Sequence, residues 1–139
     1  MQRKINIMNI LVDANVYLAV VLNEPEKQRI IEMTKGAELV SPEVLPYEIG
    51  NALTAMFKRQ RLTKEQALKS FNIFDIIPIR LENVDVFAAL DIACNFNIYA
   101  YDAYYLELAQ RLNLPLLTMD NQMKEIAKSL NLKLLEVNI

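Results

Sequence analysis

Five short apolar runs, separated by longer amphipathic stretches, set the fold of this 139-residue chain. The runs are Ile5 to Val12, Glu38 to Ser41, Ile76 to Leu81, Leu114 to Thr118 and Leu132 to Val137. Each is a few residues long and bounded by polar or turn residues, as expected of a buried strand. Between them the spacing predicts helices over 15–23, 25–35, 42–61, 64–75, 83–95, 102–112 and 121–130. Ser41 reads as the N-cap of the third helix, with Pro42 in its first turn and Pro46 delaying or kinking it. Thr63 reads as the cap of the fourth helix, with Gln66 in the capping-box position. Val86, Ala89, Leu90 and Ala93 form an apolar stripe on the fifth. Strands that alternate with helices or helix pairs argue for an α/β protein with a parallel sheet and helices on both faces. In such sheets, sites form beyond the carboxyl ends of the strands.

A length of 139 residues fits one domain with a real core, so residues 1–139 are read as a single unit. Hydrophobic residues make up 53% of the chain, which excludes disorder. No apolar span is long enough to cross a membrane, so no membrane association is expected. The N-terminal stretch MQRKINIMNILVDAN meets Asp13 too early for a signal peptide and reads as the first strand. Met8 is a second candidate start. The lone Cys94 forms no intrachain disulfide and fits a reducing, cytoplasmic setting. The only glycines, Gly36 and Gly50, build no phosphate-cradling loop.

The chain contains no histidine. That removes Ser-His-Asp and Cys-His catalysis and histidine-ligated zinc. Base chemistry near neutral pH then falls to a carboxylate, a lysine or water activated by a metal ion.

Four acids occupy four element boundaries: Asp13 in LVDAN, Glu48 in PYEIGN, Asp102 in YDAYYLELA and Asp120 in LLTMD. Singly, each has an ordinary explanation. Asp13 and Asp120 suit helix caps after strands, Asp102 suits a first helical turn, and Glu48 suits a solvated helix face. Jointly, they fall where one α/β crevice would gather them. No basic residue lies inside these motifs, so the gathered carboxylates would take up protons or bind a cation. Hard oxygen ligands suit Mg²⁺ or Mn²⁺. Asn15 and Thr118 lie two residues from Asp13 and Asp120, and Asn51 lies one helical turn beyond Glu48 on the same face.

The net charge of −2 argues against a general nucleic-acid binder. One compact basic segment, KRQRLTK, supplies Lys58, Arg59, Arg61 and Lys64. It reads either as a solvated helix end or as a phosphate-contacting patch. Tyr99, Tyr101, Tyr104 and Tyr105 crowd around Asp102 and read chiefly as core or interface residues with anchored hydroxyls, with stacking on RNA bases the minority reading.

With these motifs in hand, the chain resembles PIN-domain ribonucleases, and among them the VapC-type toxins of toxin–antitoxin pairs. The resemblance spans essentially the whole chain. LVDAN resembles the family's first acid, with Asn15 at its usual polar position. PYEIGNAL resembles the Glu-x-x-Asn helix (Glu48, Asn51), YDAYYLELA the segment carrying Asp102, and LLTMD the closing Thr-x-Asp (Thr118, Asp120). It implies a PIN-like three-layer α/β/α sandwich with a five-stranded parallel sheet. It further implies an Mg²⁺ or Mn²⁺ site on Asp13, Glu48, Asp102 and Asp120, and hydrolysis of RNA phosphodiester bonds. Homodimers, and a VapB-type antitoxin packed on an apolar groove, belong to the same expectation. Within it Asn15, Asn51 and Thr118 orient the ligands, and Lys58, Arg59 and Arg61 contact phosphate. A PIN nuclease of RNA processing and a non-catalytic partner-binding module are the alternatives.

Overall fold

The computed structural model describes residues 7–137. Within them the chain runs β1 (Asn9–Val12), α1 (Ala14–Val21), α2 (Lys27–Thr34), β2 (Glu38–Pro42), α3 (Leu45–Lys58), α4 (Lys64–Asp75), β3 (Ile79–Glu82), α5 (Val86–Phe96), α6 (Ala100–Leu112), β4 (Leu116–Leu117), α7 (Asn121–Ser129) and β5 (Leu134–Leu135). The strands form one five-stranded sheet in the order β3-β2-β1-β4-β5, and every pairing is parallel. Helices pack around it as a three-layer α/β/α sandwich, with α6 against β1 and β2 and α1 grouped with α2, α3 and α4.

The central strand explains the order. Ile10, Leu11 and Val12 are almost fully buried, as a strand covered on both faces requires. From β1 the chain winds one way through β2 and β3, then returns to the other side for β4 and β5. The direction therefore reverses between β1 and β4. At such a switch point the flanking loops part and leave a crevice beyond the strand ends. Asp13 follows β1 at this crevice, and Thr118 and Asp120 follow β4.

Helix ends are fixed by side chains. Asp13, Thr63, Asp85 and Asp120 each accept a backbone N–H at a helix start, and Thr63 with Gln66 forms the complete capping box. At the other ends, Asn97 and Asn113 close α5 and α6 in the left-handed conformation with φ of 54° and 53°. A chain with two glycines uses asparagine there, the side chain that tolerates this region best after glycine.

Several expectations shift. The start at Ile5 lies outside the described residues; the described strand opens at Asn9. Ser41 is not a helix cap. It is fully buried in β2, where its Oγ donates to Val12 O at 2.7 Å and pairs with the Tyr17 hydroxyl at 2.9 Å. Extending β2 through Pro42 moves the helix start to Leu45, with Pro46 in the first turn, where its missing N–H costs nothing. The helix also ends at Lys58 rather than Arg61, because Gln60 turns left-handed with φ of 60°. Strand β3 begins at Ile79 rather than Ile76, since Ile76 is the C-cap of α4. Strands β4 and β5 shrink to two residues each. On α5 the buried face is Ala89, Ile92 and Ala93, while Val86 and Leu90 are about half exposed.

Candidate active site

The crevice at the β1/β4 switch gathers side chains from four places in the sequence. Asp13, Asn15, Glu48, Asn51, Asp102 and Asp120 line one pocket, together with Tyr47 and Tyr101. No lysine or arginine lines it. Thr118 sits directly beneath, fully buried.

Asp13 is the anchor. It is only 6% exposed, yet no cation pairs with it among the described residues. Its Oδ1 accepts the Ala14 N–H at 2.8 Å and its Oδ2 accepts the Thr118 hydroxyl at 2.7 Å. Thr118 Oγ1 in turn accepts the Asp120 N–H at 3.1 Å, which ties the β1 end to the β4 end through one hydroxyl. Burial raises the Asp13 pKa to about 6, against the lowering from Thr118 and Ala14, and the negative charges of Asp102 and Asp120 add to the rise.

Glu48 enters from the first turn of α3. Burial pushes it up to about 7; the Tyr105 hydroxyl, donating to Oε1 at 3.0 Å, counters this, and Asp13 and Asp102 reinforce it. The exchange costs Tyr105 its own acidity: its hydroxyl is raised, first by burial and then by the Glu48 charge. Asp102 stands in the first turn of α6 and is raised by burial and by Asp120. Asp120 caps α7 through Met123 N at 3.0 Å. The ordinary and the functional readings of Asp13 and Asp120 thus coexist, since a carboxylate that caps a helix keeps lone pairs facing the crevice.

The donor set suits a hard divalent cation. It is all oxygen, uncompensated by cations and mutually repulsive. Asn15 Oδ1 is buried without a hydrogen-bond partner, an acceptor that a cation or its water shell would satisfy. As the side chains stand, no three carboxylates among the described residues are close enough to enclose one ion, so a three-carboxylate shell needs side-chain rotation.

The structure brings together Asp13, Asn15, Glu48, Asn51, Asp102, Thr118 and Asp120, but not the basic segment. Lys58, Arg59 and Arg61 are exposed at and just beyond the far end of α3, and Lys58 and Arg61 flank a different depression, beside Leu62 and Gln66. The sequence reading passed over Tyr47. No pattern marks it beyond its place beside Glu48.

The sequence matches the PIN domain over residues 10–129. The chain belongs to the PIN-domain family. This PIN domain is 28% identical over 122 residues to the VapC ribonuclease Mb0985 of Mycobacterium bovis and to Ribonuclease VapC9 of Mycobacterium tuberculosis, covering 86% of this chain and 92% of each relative. Among solved structures, it superposes on PAE2754 from Pyrobaculum aerophilum with a TM-score of 0.73 at 22% identity, covering 95% of this chain and 92% of the other. It superposes on a chain of VapBC2 from Rickettsia felis, bound to a DNA fragment from its promoter, with a TM-score of 0.65 at 18% identity, covering 94% and 100%. These two superpositions support the PIN fold. No helix among the described residues is long and apolar enough to cross a membrane.

Proposed function

We propose that this PIN domain is a divalent-metal-dependent endoribonuclease, the toxin of a VapBC-type pair. One observation carries the reading: carboxylates from the ends of β1 and β4 and the first turns of α3 and α6 converge on a pocket with no lining cation. Asp13, Glu48, Asp102 and Asp120 would hold one or two divalent ions, directly or through water. A bound Mg²⁺ or Mn²⁺ supplies a Lewis acid that offsets charge on the scissile phosphate and lowers the pKa of water. Asn15, Asn51 and Thr118 orient the ligands; Thr118 does so through its bond to Asp13. Tyr105 fixes Glu48 through Oε1. Lys58, Arg59 and Arg61 are proposed as phosphate contacts on a strand leaving the pocket along α3.

The relatives' names support RNA as substrate, and the VapBC2 complex supports a VapB-type antitoxin as partner. A homodimer, a cytoplasmic location and one nuclease domain over 1–139 complete the reading. The family match over most of the chain supports the last of these.

The test is cleavage of a mixed RNA pool by wild type and Asp102→Asn, each with Mg²⁺, Mn²⁺ or EDTA. Cleavage by wild type with metal, reduced at least about a hundredfold in the variant, is expected. Equal cleavage by both proteins would overturn the site. Growth arrest on expression, relieved by the product of an adjacent small reading frame, separates a toxin from a nuclease of RNA processing.

A further inference from the structure

Two helices carry candidate ligands into the crevice, and on each the acid is preceded by an exposed tyrosine: Tyr47 before Glu48 and Tyr101 before Asp102. Tyr47 is 79% exposed and Tyr101 is 56% exposed, and both line the carboxylate pocket. The Tyr101 ring is braced edge-on by Tyr104, with centroids 5.8 Å apart and planes at 80°. Scattered exposed aromatics are common on protein surfaces. Two on the wall of one reacting pocket call for a ligand with flat apolar faces.

The charge pattern says which ligand. A site that acts on a polyanion ordinarily gains its affinity from lysine and arginine. This pocket has neither, and the whole chain is net negative. Within the pocket, affinity beyond the metal must come from uncharged contacts, since Lys58, Arg59 and Arg61 lie outside it. A tyrosine face offers base stacking, which shifts affinity by about 5- to 150-fold per base without needing charge. Bases inside a duplex are already stacked on one another and present no free face.

We propose that Tyr47 and Tyr101 form an aromatic rim that stacks unpaired bases flanking the scissile phosphate and so positions that phosphate at the pocket. This rests on the ribonuclease reading. Because each ring is one residue from a candidate ligand on the same helix, a base held by the rim sets the neighbouring phosphate against the carboxylates. Tyr99, 86% exposed near the same helix start, does not line the pocket and serves as the internal control.

The experiment uses the full chain with Mn²⁺ and a pool of hairpin RNAs carrying a randomised loop, beside the same sequences annealed to full complements. Tyr47→Ala and Tyr101→Ala are expected to raise KM by about 5- to 150-fold each with kcat little changed. Tyr47→Phe, Tyr101→Phe and Tyr99→Ala should behave as wild type, and annealed RNA should be cut poorly. A second readout places a fluorescent purine analogue in the loop and follows its quenching on binding to Asp102→Asn, whose reduced charge favours binding. Quenching that disappears with either alanine supports the rim even if wild type cleaves nothing, in which case only the ribonuclease reading falls. Metal-dependent cleavage with an unchanged KM in both alanine variants overturns the rim and leaves the nuclease standing. Annealed RNA cut as readily as looped RNA also overturns it. Alanine variants that bind and cut RNA normally but lose a bound partner protein would assign the rim to that protein and overturn the proposal. Neither quenching nor cleavage overturns both.

Discussion

Two carboxylates are buried among the described residues, and they have been treated in opposite ways. Glu107, on α6, is 3% exposed and pairs with Arg111 at 2.6 Å; it also accepts the Asp85 N–H at 3.3 Å. Arg111 reaches on to Asn83 O at 2.8 Å, so the pair clamps α6 to the loop that opens α5. Asp13 is 6% exposed and receives only neutral donors, from Thr118 and Ala14. The first acid has its counter-charge within hydrogen-bond reach. The second is buried against its own preference, as its pKa near 6 reflects. A buried acid matched by a fixed cation is part of the scaffold, whereas one left unmatched among other acids costs stability that a bound cation would return.

Exchanging the two acids for amides tests the contrast at its widest. Asp13→Asn should cut RNA cleavage at least about a hundredfold. Its urea midpoint at pH values above about 6 should stay level or rise, because a buried unpaired charge has been removed. Glu107→Gln should keep cleavage and lose about 1–3 kcal/mol of stability, a range that allows for Arg111 being half exposed. If both variants lose stability alike and keep activity, the contrast is wrong.

Next in size is the hydroxyl that fixes Glu48. Tyr105→Phe removes one oxygen from a buried ring and should weaken Mn²⁺ binding about 10- to 100-fold, read by calorimetry, with little change in circular dichroism. Unchanged affinity would reduce Tyr105 to packing.

The pH response follows from the direction of the shifts. Asp13 and Glu48 are raised from 3.8 and 4.5 to about 6 and about 7, so the folded chain binds more protons than the unfolded chain between these values. Stability from these groups is complete below the unfolded values and is lost as pH rises through the folded ones. Without added metal, Tm should fall as pH rises from about 4 to about 7, with a shallower slope in Asp13→Asn. Mn²⁺ should raise Tm more above this window than below it, since protons and the ion compete for the same oxygens. A Tm that climbs through the window would contradict the shifts. The smallest effect belongs to the scaffold pair: Arg111→Lys keeps the charge but loses the fork, and should cost less than about 1 kcal/mol in urea unfolding.

The fold was largely legible because it rests on periodicity. ILV, ELV and LPLLT read as buried strands between helical spacings, and Thr63 with Gln66 announced the start of α4. Errors arose where a residue type serves two roles. Ser41-Pro42 has the chemistry of a helix start, but parallel pairing with Leu81 and Glu82 in β3 draws both residues into β2. Val86 and Leu90 fit an apolar stripe, yet α5 turns its neighbouring face, Ala89, Ile92 and Ala93, inward and packs chiefly against α6.

The candidate site divides along the same line. By itself the sequence determined the kinds of side chain available: acids at strand ends and helix starts, no histidine, and amides and a threonine at fixed offsets from the acids. These are local facts, set by which residue follows which. Only the tertiary structure decided that the four acids share one pocket while Lys58, Arg59 and Arg61 lie outside it, that Glu48 meets Tyr105 across 57 residues, and that Thr118 reaches Asp13 across 105. Those relations depend on the reversal of winding between β1 and β4, and on how far each side chain is removed from water. Both are properties of the packed sheet, and no stretch of sequence carries either.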